Sequence, residues 1–195
     1  MKKTTENRKR RICEVLRRKQ ADLTLVMNNI HDPHNVSAIL RSCDAFGILT
    51  VHLLYTTEPF PSLGKRSSAS AKKWIETKRH QDSGNLVREL KSSGHQILTT
   101  GFGKESMPLT EYDFTLPTAV ILGNEHRGVD EEISMLVPDK LYIPMQGMVQ
   151  SLNVSVAAAV ILYEAWRQRL KRGTATSSTL PEEELDARIR DWCTR

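Results

Sequence analysis

The stretch that most limits how this chain can fold runs from Ile143 to Tyr163. It opens as the end of a short strand, Leu141 to Ile143, and Pro144 cannot donate to a further ladder. A loop holding Gly147, Ser151 and Asn153 follows, and then ten small or apolar residues from Val154 to Tyr163 with one Ser and no charge. A helix that is apolar all round belongs in a core, so this one is expected to be buried. Each amide or hydroxyl delivered to the start of a buried helix needs a partner. Ser151 and Asn153 therefore either cap the helix, as Ser and Asn do well, or belong to a site.

At 195 residues the chain suits one domain that buries roughly 70% of its unfolded surface. No apolar run approaches the ~20 residues of a membrane helix, and the basic N-terminus is not followed by the apolar segment of a signal peptide. Cys13, Cys43 and Cys193 are widely spaced with no C-x-x-C pair, which points to a reducing compartment and a cytoplasmic protein without disulfides or a zinc site. Residues 1–20 hold nine cations against two acids, so the rest of the chain is slightly acidic. Two further basic clusters, Lys65 to Arg79 and Arg167 to Arg172, favour a polyanion partner; the competing reading of the N-terminal arm is a solvated, frayed helix.

In chain order, Leu23 to Met27 reads as a strand. Asn35 then caps a helix to about Phe46, with Val36, Ile39, Leu40 and Cys43 on its apolar face. Thr50 to Tyr55 is a second strand, and the long loop of residues 56–70 exceeds a bare connection. Trp74 to Lys78 is a third strand, Asn85 to Leu90 a short helix, Gln96 to Thr100 a fourth strand and Thr118 to Leu122 a fifth. Asp130 opens a helix that Pro138 closes. Leu180 to Arg195 is a short amphipathic helix whose Ile189 and Trp192 dock on something, beyond a polar linker at 174–179. Alternating strands and helices with solid apolar strands indicate an α/β domain with a parallel sheet covered on both faces. The expected division is 1–20, a basic helical extension, then 21–172, the α/β domain, then 173–195, a linker and helix.

Ligands of such sheets bind beyond the carboxyl ends of the strands. Three strand ends carry glycine or polar loops: Thr100-Gly101, Gly123-Asn124-Glu125, and Ile143 through Ser151. Gly101-Phe102-Gly103 lacks the third glycine of a dinucleotide fingerprint, and there is no P-loop, nucleophile elbow or H-E-x-x-H. Arg41 stands out in an otherwise apolar and small helix. A half-buried Arg there calls for a phosphate or a carboxylate, for instance Asp44 three residues on.

His31-Asp32-Pro33-His34-Asn35, with Arg41 and Ala45-Phe46-Gly47 after it, resembles the first motif of the SpoU branch of the SPOUT RNA methyltransferases. Ile121 to Gly128 resembles the second motif, and Ile143-Pro144-Met145 through Ser151-Leu152-Asn153-Val154-Ser155 the third, in order across about residues 22–165. The resemblance implies a Rossmann-like parallel-sheet domain with a C-terminal deep trefoil knot and short helical N- and C-terminal extensions. It implies S-adenosylmethionine in a pocket lined by Thr100, Gly101, Gly123, Ile143, Met145, Ser151 and Leu152. It also implies a homodimer acting on tRNA, with no membrane or DNA partner, whose product is the ribose-methylated guanosine 18 of the D-loop.

The catalytic set implied is Arg41 with Asn35, Glu125, Ser151 and Asn153. The family makes Arg41 the base, activated by the substrate phosphate. A guanidinium is a donor only and a poor base near neutral pH, so holding that phosphate and stabilising the developing alkoxide suits Arg41 better. Two alternatives stand beside this one: methylation of another tRNA or rRNA nucleotide, and a non-catalytic RNA-binding protein on the same scaffold.

Overall fold

The computed structural model describes residues 5–62, 71–103 and 106–195, with only the backbone described at 71 and 72. Its elements are α1 (Glu6–Leu16), β1 (Leu23–Asn28), α2 (Pro33–Ala45), β2 (Thr50–Leu54), α3 (Ala71–Trp74), β3 (Glu76–His80) and α4 (Ser83–Ser92). Then come β4 (Gln96–Thr100), β5 (Ser106–Pro108), β6 (Thr118–Leu122), α5 (Glu131–Leu136), β7 (Lys140–Tyr142), α6 (Val154–Arg172) and α7 (Glu182–Trp192). The seven strands form one sheet in the order β3-β2-β1-β6-β4-β7-β5, every pair parallel.

The central strands β1 and β6 are buried along their whole length, as solid apolar runs in a two-sided sheet require. Successive side chains alternate between two cores. Leu25, Met27, Val120 and Leu122 face the layer of α2 and α6, while Val26, Ala119 and Ile121 join Leu86, Leu90 and Ile133 of α4 and α5. Filling the centre of either layer matters: truncating Met27 to Ala is expected to destabilise the fold by about 2–5 kcal/mol.

Several expected elements shift. Helix α2 is capped by Asp32, whose carboxylate accepts the His34 amide, because Pro33 is pre-set for the first helical position; Asn35 lies inside the first turn. Trp74 ends a helix rather than starting a strand, and the third strand is the polar edge Glu76–His80. Helix α4 starts at a capping Asp82, earlier than Asn85. Helix α6 runs on to Arg172 and is not buried all round: Val156, Val160 and Tyr163, spaced four and three residues apart, are exposed. Residues 63–70 of the long loop lie outside the described residues.

The two extensions pack on each other. Ile12 and Leu16 of α1 meet Leu185 and Trp192 of α7 in a third core, and Trp74 stacks on Trp192 at 4.9 Å. Two expected surface cations are structural. Lys19 is fully buried, its Nζ donating to Asp44 Oδ1 (3.0 Å) and the Ile48 carbonyl (2.8 Å); burial lowers its pKa against the pull of Asp44. Arg169, 2% exposed, donates to Asp22 (2.6 Å), Gln20 (2.8 Å) and the Phe114 carbonyl (2.9 Å), fastening α6 to the segment before β1. The other basic clusters thin out too: Arg167 pairs with Glu164, Lys78 with Glu89, and Arg79 lies over Phe60, while Lys65 and Arg66 fall outside the described residues.

Candidate active site

The register of the sheet sets three loops side by side. Thr99 of β4 pairs with Ile121 of β6, and Thr100 with Leu141 of β7, so the carboxyl ends of these strands adjoin. Thr100 Oγ1 donates to the Ile121 carbonyl at 3.1 Å and the Gly101 amide to the Leu141 carbonyl at 3.0 Å. Thr100, Gly101, Gly123 and Ile143 thus leave the sheet from neighbouring positions.

The loop after β6 closes on itself. The Asn124 amide and carbonyl pair with those of Gly128 (2.8 and 2.9 Å), and the buried Asn124 side chain accepts from the amides of His126 and Arg127. At Gly123 any Cβ would lie 2.2 Å from the Gly128 backbone, so only glycine fits there. This tight turn presents the residue beyond Asn124, Glu125, across to α2. Its carboxylate accepts from Asn35 Nδ2 (2.7 Å) and the amides of His31 (3.1 Å) and Asp32 (3.4 Å). Burial opposes its charge, but these donors outweigh burial and hold its pKa below the ordinary carboxylate range.

Asn35 reaches on to the third loop. Its Oδ1 accepts from Asn153 Nδ2 at 3.1 Å, and Asn153 caps α6 by accepting from the Ser155 amide at 2.9 Å. The loop after β6, the first turn of α2 and the loop before α6 are therefore tied by one residue each into a single chain, Glu125–Asn35–Asn153. Asn153 both caps the helix and joins the network.

Arg41 does not behave as a structural ion pair. It is exposed on the same outer face of α2 as His34, Ala38 and Ala45, and has no ionic or hydrogen-bonding partner among the described residues. Asp44, its expected partner, is taken by Lys19. An exposed guanidinium left open is free to take a phosphate.

Not every expected residue joins the network. Ser151 is exposed and makes no hydrogen bond among the described residues; Leu152 is 36% exposed, and Ile143 and Met145 are half-buried. Clefts of about 520 Å³ (beside Tyr112, Arg167 and Arg172) and about 420 Å³ (beside His95, Met107 and Lys140) include none of these residues. Sequence reasoning also missed Asn29, Asp130 and Glu58 around the end of β1. The signal was an Asn-Asn pair closing an apolar strand.

Glycine backbone, the half-buried apolar Ile143 and Met145, and Thr100 at adjoining strand ends suit the adenosyl part of a nucleoside ligand. The family comparison decides the matter: the model of the SpoU rRNA Methylase family matches residues 22–163. The chain belongs to the SpoU methylase family.

A relative from Thermus thermophilus, a tRNA (guanosine(18)-2′-O)-methyltransferase, is 47% identical over 98% of both chains. The Aquifex aeolicus TrmH/SpoU tRNA modifying enzyme superposes with a TM-score of 0.89 at 38% identity, over 97% of this chain and 96% of that one. The SpoU methyltransferase AviRb of Streptomyces viridochromogenes, in complex with AdoMet, gives a TM-score of 0.67 at 28% identity over 76% and 60% of the respective chains. The seven-stranded parallel α/β sheet is thus a SpoU methyltransferase fold.

Proposed function

We propose that this SpoU-family member is an S-adenosylmethionine-dependent tRNA methyltransferase that modifies the 2′-oxygen of guanosine 18, in the cytoplasm. The observation that carries the reading is the Glu125–Asn35–Asn153 chain, tied to the helix whose outer face carries the unpartnered Arg41. A protein that merely held RNA could use Arg41 to bind a phosphate, but it would not need that chain. The Thermus and Aquifex relatives, similar over nearly the whole chain, support the tRNA substrate.

Thr100, Gly101, Gly123, Ile143, Met145 and Leu152, with Ser151 beside them, would hold S-adenosylmethionine, which supplies a methyl group on a sulfonium that leaves as a neutral thioether. The chain's own work is then alignment and charge. Arg41 grips a phosphate next to the target ribose and stabilises negative charge growing on the 2′-oxygen, while the proton that oxygen sheds passes to solvent water, a guanidinium being a donor only. Asn35, fixed between Glu125 and Asn153, sets where α2 presents Arg41. Alignment of this kind is worth on the order of 7–11 kcal/mol in favourable cases.

The region from β6 to α6 threads as a deep trefoil knot in this reading. A second copy of the chain covers the exposed apolar stripe Val156–Val160–Tyr163, which adjoins the end of α2 where Tyr163 meets Phe46. Val160→Glu is then expected to shift the protein from dimer to monomer in sedimentation. A dimer that survives it would place the interface elsewhere. The extensions 1–20 and 173–195 hold the tRNA body, outside the 21–172 catalytic domain.

The test of the function is label transfer from methyl-labelled S-adenosylmethionine to a tRNA transcript, with a second transcript carrying 2′-deoxyguanosine at position 18. Transfer to the first and none to the second supports the assignment. Equal transfer to both moves the target to another nucleotide, and no transfer to any tRNA overturns it.

A further inference from the structure

We propose that Asn29 is a positioning residue for methyl transfer: it sets the Glu125 carboxylate, and through it Asn35. The inference rests on the reading that Glu125–Asn35–Asn153 belongs to the active site.

Asn29 follows β1, is fully buried, and has φ +50°, the left-handed region that Asn tolerates best after Gly. All its polar atoms are engaged. Its amide donates to the Leu54 carbonyl (2.9 Å) and its carbonyl accepts from Asn124 Nδ2 (2.7 Å). Its Oδ1 accepts from the amides of Thr56 (3.1 Å), Thr57 (3.3 Å) and Glu58 (3.2 Å). Its Nδ2 donates to Thr56 Oγ1 (2.9 Å) and Asp130 Oδ2 (2.5 Å). If the fold needed only the backbone turn, glycine would serve; the side chain does more.

Several of these partners lie on loops that bear on Glu125. Asn124 is its neighbour in the chain. His31 and Asp32, whose amides bind the Glu125 carboxylate, follow Asn29 by two and three residues. Glu58, in the turn Asn29 gathers, binds Arg127 (2.8 Å) and faces His31 Nδ1 (3.6 Å). Asp130 is held in turn by Asn28, which both donates to its carboxylate (3.0 Å) and accepts its amide (2.9 Å). The carboxylate and its backbone donors therefore hang from one residue. A displacement there misplaces both, and misplacement of about 1 Å can cost about 100-fold in rate.

Asn29→Asp keeps the shape but sets a second carboxylate against Asp130. Adding Asp130→Asn restores a donor to the pair. We expect N29D to lower kcat about 100-fold with the KM for tRNA within about twofold, and N29D/D130N to regain at least about tenfold. In an E125A background N29D should cost little more, because both act through one group. Wild-type kcat in N29D, or the same loss with and without Glu125, would overturn the proposal. If N29D does not fold, Asn29→Gly decides: a fold retained with reduced kcat supports it, and wild-type kcat overturns it. Full activity of E125A alone would instead remove the active-site reading on which it rests.

Discussion

Two arginines, Arg41 on α2 and Arg169 on α6, show what separates a working cation from a structural one. Helices α2 and α6 pack on the same face of the sheet. Arg169 is buried and satisfied by a carboxylate, an amide oxygen and backbone carbonyls. Arg41 is exposed with no partner among the described residues. In the sequence their contexts suggest the reverse, since Arg41 sits among apolar residues and Arg169 in a basic run. A structural arginine is marked by saturation of its fork, whereas an open one such as Arg41 keeps its donors available for a phosphate.

The largest effect should fall on activity. Arg41→Ala should lower kcat by about 10³-fold, the range seen when a charge-stabilising donor is lost, with an unchanged melting temperature. A melting point that fell with it would make Arg41 structural too. The mirror experiment is Arg169→Met, which leaves Asp22 without its cation and should destabilise by about 3–5 kcal/mol, read as a melting point lower by roughly 10 °C. Stability unchanged by that substitution would erase the contrast.

A titration extends the comparison to histidine. His52 is 4% exposed, Nδ1 lies 2.9 Å from His80 Nε2, and burial with the neighbouring His80 lowers its pKa to about 4. The unfolded chain takes up a proton near pH 6.5 that the folded one refuses, so stability should fall as pH drops from about 6.5 towards 4. The loss is on the order of 3 kcal/mol in a pH series of denaturant melts, and His52→Phe should remove the larger part of it, the lowered His80 and His95 keeping the rest. The smallest effect is expected from the solvated cations of α1. Changing Arg8, Lys9 and Arg11 to Ser should raise the KM for tRNA by about tenfold and lower the salt slope, with kcat unchanged. An unaltered slope would mean that these cations meet no phosphate.

How far the sequence carried the structure depends on the element. The bounds of β4 and β6 were legible to the residue: β6 is a near-continuous apolar run, β4 pairs Ile97-Leu98 with two β-branched threonines, and each is stopped by glycine. Strand β3 was not: Glu-Thr-Lys-Arg-His is an edge strand held by backbone pairing to β2, with no apolar pattern to read. β5 is three residues and offers less still. The all-round burial expected of α6 fails on one stripe, since apolar character alone does not say whether the chain itself or a second copy covers a face. At the site, motif residues Asn35, Glu125 and Asn153 were found and meet. Asn29 and Asp130 were missed because their role lies in hydrogen bonds between loops distant in sequence. Lys19 and Arg169 were counted with the surface charge for the same reason: composition does not report burial.

The central claim is that Arg41 faces the ribose of the target nucleotide. The most direct measurement is a structure of the protein with tRNA and an unreactive analogue of the methyl donor. The account predicts the Arg41 guanidinium within about 3 Å of a phosphate flanking guanosine 18, with that nucleotide's 2′-oxygen turned to the loops after β4, β6 and β7. Arg41 paired with a protein carboxylate, or guanosine 18 seated away from that rim, would contradict it.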